Sequence, residues 1–528
     1  MNQAQFLTSV LDIEYLFRSL DGETCYATVA IHDHHETWPI RSKWFRRWLV
    51  GKFYAIEGKP PASQAMADAL GAIEARAQYG GNVHPVHVRV AGDDTAVYLD
   101  LVNDDWQAVR VTAAGWTVVA DPPVKFRRAR GMMPLPTPTK GGAVTQLRPF
   151  INVASDEQWA LLIAWIIAAL RAFGPYPVLA LLGEQGTAKT TTQEVIRALI
   201  DPNVAPLRAE PRDARDVMIA ASNGWCIGFD NISDIESWLS DCFCRLATGG
   251  GFSTRELYSD GDEIIFVAQR PVMLNGIDAV ISRADLLDRA LIIDLPRIPD
   301  QKRRQRREFW SAFEAARPAI LGVLLDAVAV ALKRQPDISL DTLPRMADFA
   351  AWSVAAEPGL GLAEGAFLRA YTNNRVATHE LALEASPIAA PIRKLADQKA
   401  WKGTAAELLG ELSKIADEAT KKARTWPSTA RGLGSALRRA APNLRTVGVV
   451  VEFTDEKELG PRRRQIAVRS VPIVPERSDA ASGSDLDRSG NDRNGSGDDM
   501  ETDAGTVGNG RNAESPFLSA SETEEALL

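Results

Sequence analysis

The sequence predicts an α/β fold built on a mainly parallel sheet, and three observations carry that prediction. Short apolar runs alternate with helix-like stretches between residues 145 and 300, a pattern typical of parallel strands joined by crossover helices. The segment Gly183–Thr190, rich in small residues, lies between one apolar run and a helix-like stretch. Two other runs end in Asp230 and Asn275, and the ends of parallel strands meet at one edge of a sheet.

Residues 1–140 mix strand and helix signals and are predicted to form an α+β N-terminal domain of unknown role. Cys25–Ile31 alternates as a strand does, whereas Ser42–Tyr54 and Ala62–Gln78 have helical spacing. Four further runs predict a β-meander. These runs are Val86–Ala91, Ala96–Leu101, Ala108–Thr112 and Trp116–Ala120. A proline-rich connector then places a domain boundary near residue 140.

The region 145–300 is predicted to hold the parallel sheet. Its predicted strands are Val178–Leu182, Trp225–Phe229, Ile264–Ala268, Pro271–Leu274 and Ala290–Leu295. The apolar run Trp159–Leu170 is about twelve residues long, short of the roughly twenty that span a bilayer. We therefore predict a buried helix there, opened by Ser155 and Asp156 as capping residues.

Three more regions follow the sheet. Residues 301–395 are predicted to be helical, with Pro318 opening the helix Ala319–Leu332. Residues 400–470 give two helical stretches, the first opened by Lys402–Thr404, and a terminal hairpin, Val447–Phe453 with Gln465–Arg469. From residue 475 to 528, Ser, Gly, Asn and Asp dominate, and an acidic disordered tail is predicted.

Charge is placed unevenly along the 528 residues. The last 51 residues carry twelve Asp/Glu against three Arg, a net charge of −9, whereas the whole chain carries −8. The body is therefore close to neutral, and the basic stretch within it is 401–470, with a net charge of +6. Four cysteines are too few for a disulfide framework, and no signal peptide or membrane span is predicted. We expect a cytoplasmic protein with reduced thiols.

The segment Gly183–Thr190 has the chemistry of a phosphate-binding loop. Glycines let the backbone approach phosphates, Lys189 supplies a cation for the β- and γ-phosphates, and Thr190 supplies a hydroxyl for Mg²⁺. The predicted nucleotide-contacting residues are Gly183, Glu184, Gln185, Gly186, Thr187, Ala188, Lys189, Thr190 and Thr191. Ala188 replaces the glycine of the usual pattern, and we expect its backbone to have φ below zero because a methyl group disfavours positive φ.

Three polar residues further along complete the predicted catalytic set. Asp230 ends an apolar strand and is predicted to bind Mg²⁺ together with Thr190. Asn275 ends another strand, where a neutral amide can orient water, and Arg289 precedes a third strand, where a guanidinium can stabilise phosphoryl charge. Between them, the stretch Thr248–Arg255 holds three consecutive glycines and predicts a mobile hairpin or loop.

This ordered set resembles AAA+ ATPases, and within them the superfamily-3 helicase type of viral and phage primase-helicase proteins. The resemblance implies that Lys189 and Thr190 are the Walker A pair, Asp230 the first Walker B acid and Asn275 the sensor asparagine. It further implies that Arg289 is the arginine finger and that the hairpin, through Arg255, contacts DNA. The implied protein binds ATP and Mg²⁺ and assembles as a homo-oligomeric ring, such as a hexamer. It would act on single-stranded or forked DNA with replication proteins, as a helicase or helicase loader of a phage or mobile element.

Departures from that pattern keep other functions open. Asn231 stands where the family has a second acid, so turnover would be slow unless Glu184, Asp234 or Asp241 serves instead. Asp288 precedes Arg289 in place of the usual double arginine, and Arg283 is the alternative finger. An ATP-dependent assembly switch with little turnover is therefore the second hypothesis. A small-molecule kinase is the third.

The basic stretch 400–470 resembles a winged helix, in which Thr429–Ala440 would be the recognition helix, with Leu433 and Leu437 as its core positions. Its predicted DNA contacts are Arg431, Arg438, Arg439, Arg462, Arg463 and Arg464. The alternative is a small packing domain with a solvated basic face. Arg41–Lys52, where basic and aromatic residues alternate, is similarly open between a nucleic-acid contact and an ordinary amphipathic helix.

Overall fold

The computed structural model describes residues 2–10, 15–233, 235–255, 263–276, 281, 283–384, 386–423, 425–456 and 463–471. Only the backbone is described for 252–255, 263–266, 455–456 and 463–464. The predicted tail 475–528, Asp234 and Arg462 lie outside the described residues.

The first region is a four-stranded sheet with three helices. Its elements are α1 (Gln3–Ser9), β1 (Leu16–Arg18), β2 (Cys25–Ile31), β3 (His34–Pro39), α2 (Lys43–Glu57), α3 (Ser63–Gly80) and β4 (Asn82–Val83). The strand order is β3-β2-β1-β4, and β1 and β4 run parallel. Phe45, Leu49 and Phe53 of α2 are at most 1% exposed and lie in a core confined to this region. The predicted strand Cys25–Ile31 and both predicted helices are confirmed within three residues.

The β-meander follows as predicted, with one correction. The strands are β5 (Val86–His87), β6 (Val90–Gly92), β7 (Ala96–Asp100), β8 (Ala108–Thr112), β9 (Gly115–Val119) and β10 (Lys125–Phe126). The predicted strand Val86–Ala91 is broken into β5, which pairs with β10, and β6, which begins the meander. The break lies at Arg89, whose φ is +67° and whose buried guanidinium donates to Asp201 at 3.0 Å. A long-range ion pair thus overrides the local strand pattern.

The parallel sheet occupies the middle of the chain. Its region comprises α4 (Asp156–Ala169), β11 (Val178–Leu182), α5 (Lys189–Ile200), α6 (Ala214–Asn223), β12 (Ile227–Phe229), α7 (Ser237–Thr248), β13 (Gly250–Arg255), β14 (Glu263–Ala268), β15 (Val272–Asn275), α8 (Ala284–Leu287) and β16 (Ala290–Asp294). The order β12-β15-β11-β16 is parallel throughout, so the mixed α/β prediction is confirmed. The predicted strand Ile264–Ala268 lies outside this sheet, because it pairs antiparallel with β13 as a separate hairpin.

The predicted buried helix is α4, which Ser155 caps by accepting a hydrogen bond from the Gln158 N–H. It lies in a hydrophobic cluster that also holds the inward side of the meander, for example Val97 and Val109. The apolar core is therefore continuous across residue 140. The domain boundary proposed there stays a prediction.

The helical region contains α9 (Arg306–Arg334), α10 (Ala347–Ala356) and α11 (Ala366–Glu384). Pro318 lies inside α9 and does not open it, which corrects the prediction. The turn before the proline is anchored by two contacts: Phe313 packs edge-on against Phe150, and the Arg317 guanidinium donates to the Ala198 carbonyl oxygen at 2.6 and 3.0 Å. In the turn after it, Ile320 and Leu321 are fully buried. These contacts offset the missing proline N–H. Among the described residues, Arg306–Asp337 is long and apolar enough to span a membrane, and 67% of its most apolar window is buried within the structure.

The last described region has its own hydrophobic cluster. It comprises α12 (Ala389–Gln398), β17 (Trp401–Thr404), α13 (Ala405–Ile415), α14 (Glu418–Lys422), α15 (Ala430–Thr446), β18 (Val449–Glu456) and β19 (Arg463–Ser470). The predicted hairpin is confirmed as β18 and β19, and Leu433 and Leu437 of α15 are buried as predicted. Residues 402–404 form a strand beside β19 rather than a helical turn. Thr404 still caps the following helix in a capping box with Glu407.

Candidate functional site

The segment Gly183–Thr190, here called the glycine loop, joins the buried strand β11 to the first turn of α5. Gly183 has φ of +145°, and a Cβ placed on it would lie 2.6 Å from the Leu295 carbonyl oxygen, so no larger residue fits. Gly186 has φ of +82°. The loop therefore brings backbone N–H groups to the N-terminus of α5, where the helix dipole favours an anion.

Side chains around the loop differ in exposure. Glu184 and Gln185 are exposed, whereas Thr187 is buried and donates its hydroxyl to the Glu184 carbonyl oxygen at 3.1 Å. Thr191 lines the cavity next to the loop. Gly186, Ala188 and Thr191 therefore face this cavity, whereas Thr187 stabilises the loop from inside.

Ala188 contradicts the expectation made for it. Its φ is +65° and its ψ +31°, the left-handed conformation that a glycine would adopt without cost. The left-handed region costs an alanine about 1 kcal/mol or more. The loop keeps the shape that the usual glycine would give it, and the methyl group is accommodated with backbone strain.

Lys189 is folded over the glycine loop. Its ammonium donates to the carbonyl oxygens of Gly183 at 2.6 Å and Glu184 at 2.8 Å. Burial lowers the pKa of Lys189, and the negative charge of Asp230 partly opposes that shift. The cation is thus held at the loop by two neutral acceptors, which an incoming anion can replace.

Thr190, Asp230 and Asn275 form a connected chain of hydrogen bonds at the sheet edge. The Thr190 hydroxyl donates to Asp230 Oδ1 at 2.9 Å, and Asn275 Nδ2 donates to the same oxygen at 2.7 Å. Asn275 is 2% exposed. The structure therefore brings together three residues that lie 40 to 85 positions apart in the sequence.

Both N–H donors and the oxygen of the Asn275 amide contact other protein groups. Nδ2 also donates to Gln193 Oε1 at 2.7 Å, and Oδ1 accepts the N–H of Asn231 at 2.7 Å. Gln193 in turn donates to the Phe229 carbonyl oxygen at 3.2 Å. In this arrangement Asn275 positions Asp230 with its N–H donors, and Oδ1 keeps one lone pair that could accept a hydrogen bond from water. Gln193 was missed from the sequence, although it lies one helical turn after Lys189 on α5.

The oxygen atoms of Thr190 and Asp230 suit Mg²⁺ only in part. Mg²⁺ is held by one or two carboxylates together with phosphate oxygens and water. Within the described ranges, no cluster of three or more His, Cys, Asp or Glu side chains is placed to hold a metal ion. The residues present therefore fit an ion that arrives with a nucleotide.

Asn231 lies beside this chain in a left-handed conformation, with φ of +56°. Its side chain is exposed, and asparagine tolerates this conformation better than most residues. Among the carboxylates considered as substitutes for a second acid, Asp241 is engaged by Arg283 at 3.2 Å and Glu184 is exposed on the loop.

A cavity of about 730 Å³ adjoins the glycine loop and was not predicted from the sequence. Its apolar and aromatic wall comprises Pro149, Phe150, Ile151, Pro296, Ile298, Phe309 and Trp310. Its cations are Arg297, Lys302, Arg303, Arg304 and Arg306. Asn152 Nδ2 joins the two sides by donating to the carbonyl oxygens of Thr187 at 2.9 Å and Pro296 at 2.6 Å. The run of basic residues before α9 was the available sequence signal.

The two candidate finger arginines are held differently. Arg289 is half-buried, and its Nη1 donates to the Asp285 carbonyl oxygen at 2.7 Å. Arg283 is about one third exposed and pairs with Asp241 at 3.2 Å. The structure describes one chain, so the predicted action of either on a neighbouring subunit stays a prediction.

The hairpin predicted to contact DNA exists as β13 and β14, which pair from Gly250 with Ala268 to Arg255 with Glu263. Thr248 ends the preceding helix α7. The residues between 255 and 263 and the Arg255 side chain lie outside what the structure describes. The hairpin's role therefore stays a prediction.

Arginines of the last region lie on its surface. Arg431, Arg438 and Arg439 are exposed on α15, opposite the buried Leu433 and Leu437. Arg438 also stacks on the Phe453 ring of β18, with its Cζ 5.0 Å from the ring centroid. Arg463 and Arg464 lie in β19, but their side chains are not described.

Two protein-family models match two separate stretches of this chain. Residues 144–376 match the family model described as the actinomycete integrative conjugative element replication protein. Residues 388–481 match the model described as the AICE RepA C-terminal domain. No curated protein matches the chain.

Solved structures match remotely. One is the apo structure of the NrS-1 C-terminal region, 11% identical, covering 88% of this chain and 99% of that chain with a TM-score of 0.38. Another is the A form apo structure of the same region, 9% identical, covering 89% and 98% with a TM-score of 0.40. The family models agree with the mobile-element association expected from the sequence. Over the parallel sheet and over the last region, this chain is thus similar to the replication proteins of actinomycete integrative conjugative elements.

Proposed function

We propose that this chain binds ATP with Mg²⁺ at the glycine loop and uses its hydrolysis to act on DNA. The action would be that of a helicase or helicase loader in the replication of a mobile element. The observation that carries the proposal is the hydrogen-bonded chain of Thr190, Asp230 and Asn275 beside the N-terminus of α5. The match to replication proteins of mobile elements supports the biological process.

The glycine loop would receive the phosphates. Lys189 would leave the carbonyl oxygens of Gly183 and Glu184 and bind phosphate oxygens, which are stronger acceptors because they are charged. Thr190 and Asp230 would hold Mg²⁺, which when bound neutralises developing charge on the phosphoryl group. Asn275 and Gln193 would keep the Asp230 carboxylate in place for that purpose.

The adjacent cavity would receive the base and sugar. Its volume of 730 Å³ is in the range of cofactor sites, and its aromatic and apolar wall begins next to Gly186 and Ala188 of the loop. Phe150 and Trp310 offer flat surfaces for an adenine ring. Arg303 and Arg304 would add positive charge at the phosphate end.

Assembly and DNA contact complete the proposal. In a homo-oligomeric ring, such as a hexamer, Arg289 or Arg283 would reach the nucleotide of the neighbouring subunit. The β13–β14 hairpin and the exposed arginines of α15 would contact DNA. The order α12, β17, α13, α15, β18, β19, with its three-stranded antiparallel sheet, supports a winged-helix arrangement for the last region.

ATP hydrolysis by the purified full chain, with and without single-stranded DNA, tests the proposal. A separate titration with a fluorescent ATP analogue measures nucleotide binding, so that a loss of binding can be distinguished from a loss of turnover. Lys189→Ala is the test variant, and Lys333→Ala, an exposed lysine at the end of α9, is the charge-matched control. We expect DNA-stimulated hydrolysis in the parent and the control, and neither binding nor hydrolysis in Lys189→Ala. Hydrolysis that persists in Lys189→Ala would contradict the proposed site.

One observation favours an assembly switch as the second candidate. Asn231 is exposed next to Asp230 and cannot take a proton from water at neutral pH. A switch predicts tight nucleotide binding, oligomers that depend on ATP, and little turnover with or without DNA. Asn231→Glu distinguishes the two: a rise in turnover would mean that the parent lacks only the general base.

A further inference from the structure

Helix α2 of the first region has two faces of different character. Phe45, Leu49 and Phe53 are at most 1% exposed and fix the helix to the local core. On the other side, Trp44 is 63% exposed. A tryptophan that exposed is unusual, because burying its ring is worth more than burying most side chains.

Two cations of α2 lie near its tryptophan rings. The Arg47 guanidinium carbon lies 5.5 Å from the Trp44 ring centroid, and the Lys52 ammonium lies 5.5 Å from that of Trp48. Lys43, Arg46, Arg47 and Val50 line a groove of about 310 Å³ beside them. These are the i, i+3 and i+4 neighbours that share one side of a helix.

No acidic residue offsets this charge within the helix before Glu57, its last residue. The neighbouring Arg41 is engaged by Glu74. For Lys43, Arg46, Arg47 and Lys52, the described part of the chain provides no ion-pair partner. We call the side of α2 formed by Lys43, Trp44, Arg46 and Arg47 the α2 basic face.

We propose that the α2 basic face binds single-stranded nucleic acid, as a second site that is independent of ATP and of α15. Cations that follow a sugar-phosphate backbone and aromatic rings on which bases stack are the two components of single-strand recognition. Both are present here on one rigid helix. The exposed Trp44 ring supplies the stacking surface, and Arg46 and Arg47 supply charge for the flanking phosphates.

A membrane surface fits these observations less well. Basic amphipathic helices bind membranes by inserting a continuous apolar face, and Phe45, Leu49 and Phe53 of α2 are already buried in the protein. The large apolar side chains of α2 that stay exposed, Trp44, Tyr54 and Ile56, do not form a continuous face. An acidic peptide would satisfy the cations but would leave Trp44 without a stacking partner. Vesicles and an acidic polymer therefore serve as comparison probes.

The test measures binding of a fluorescein-labelled oligothymidine of about 20 nucleotides to the full chain, without ATP, by anisotropy over a range of salt concentrations. The background carries Arg431→Ala, Arg438→Ala and Arg439→Ala, so that α15 contributes little. Test variants are Trp44→Ala, Trp44→Phe and Arg47→Ala. Controls are Tyr79→Ala, which removes an 89% exposed ring from α3 of the same region, and Arg110→Ala, which removes an exposed charge from β8.

We expect Trp44→Ala to weaken binding about tenfold, whereas Trp44→Phe, which keeps an aromatic face, retains most of the affinity. Arg47→Ala should reduce the slope of log K against log salt by about 0.7, as for one lost phosphate contact on a single strand. Both controls should behave as the background does. Because no nucleotide is present, the result is independent of the proposed ATP site.

Two results would overturn the proposal. One is equal affinity for the oligonucleotide in Trp44→Ala and Tyr79→Ala. The other is binding of anionic phosphatidylserine vesicles or polyglutamate that is as tight as oligonucleotide binding and equally sensitive to Trp44→Ala, since that would make the face a membrane or peptide site.

Discussion

The glycine loop and the surface of α15 both collect groups that suit phosphates, but they do so in opposite ways. Around the loop, Lys189, Asp230 and Asn275 are all engaged by other protein groups, and Asn275 is buried. On α15, Arg431 and Arg439 extend into solvent from a helix whose other side is packed. The first is a preorganised site, whereas the second is an exposed electrostatic surface.

That difference separates two uses of binding energy. In a preorganised site the groups are already ordered before the ligand binds, which lowers the entropic cost of binding. Because the same hydrogen bonds also stabilise the fold, a substitution there can reduce both ligand binding and protein stability. An exposed surface gains affinity from counterion release and contributes little to folding. Substitutions in the two places should therefore differ in what they damage.

The largest effect is expected for Lys189→Ala at the loop. The variant removes the cation that would meet the phosphates, and charge-assisted contacts of this kind are worth about 100-fold or more. We expect nucleotide affinity to fall by at least that order while the melting temperature stays close to the parent value, because the ammonium bonds only backbone carbonyls. Isothermal titration with ATP and Mg²⁺ measures the affinity, and Lys333→Ala should leave it unchanged.

Asn275→Ala should couple loss of function to loss of stability. It removes one of the two donors to Asp230 Oδ1, the donor to Gln193 Oε1 and the acceptor of the Asn231 N–H. Unsatisfied buried groups cost about 1 to 3 kcal/mol each, so we expect about 2 to 4 kcal/mol in total after water enters. Thermal unfolding followed by circular dichroism measures the effect.

The matched control for that variant is Asn373→Ala. Asn373 is exposed and donates to Glu157 at 3.0 Å, so its loss should change stability by no more than about 0.5 kcal/mol. Equal destabilisation by the two variants would mean that the buried network at the sheet edge is not formed in solution.

The triple variant Arg431→Ala, Arg438→Ala and Arg439→Ala should show the reverse behaviour. DNA affinity at low salt should fall about tenfold or more, and the salt slope should drop by about 2 to 3 as phosphate contacts are lost. Stability should change by less than about 1 kcal/mol, the largest part coming from the Arg438 stack on Phe453. Filter binding across salt concentrations measures the DNA affinity. The control is a second triple variant with the same change in net charge, Lys59→Ala, Arg110→Ala and Lys333→Ala.

Local sequence patterns predicted many of the helices and strands, because the spacing of apolar residues and the chemistry of helix capping involve only a few neighbouring residues. They located β11, α4 and the burial of Leu437, and they placed Asp230 and Asn275 at one sheet edge. They did not find Gln193, whose partner is 82 residues away. They also missed the break at Arg89, which a buried carboxylate 112 residues away holds in place.

Pro318 and Ile264–Ala268 were misplaced for related reasons. A proline tends to open a helix, but the Arg317 contact before it and the buried Ile320 and Leu321 after it stabilise α9 through this position. The run Ile264–Ala268 has the composition of a sheet strand, and only its pairing with β13 separates it from the parallel sheet. In both cases the structure depends on a partner that the local sequence pattern does not contain: Ala198 for α9, and strand β13 for Ile264–Ala268.

The smallest expected effect tests the backbone of the glycine loop itself. Ala188→Gly removes about 1 to 2 kcal/mol of left-handed strain and adds about 0.5 to 1 kcal/mol of chain entropy to the unfolded state. We therefore expect a net stabilisation of about 0.5 kcal/mol, with ATP affinity within about threefold of the parent.

The control variant is Ala55→Gly, at an exposed position inside α2. It should destabilise the protein by about 1 kcal/mol, because alanine there has ordinary helical geometry. Differential scanning calorimetry measures the melting temperature of both variants. If the loop has the geometry described, the melting temperature rises in Ala188→Gly and falls in Ala55→Gly. Two decreases in melting temperature would mean that Ala188 has negative φ in solution, and that this loop differs in shape from one containing glycine.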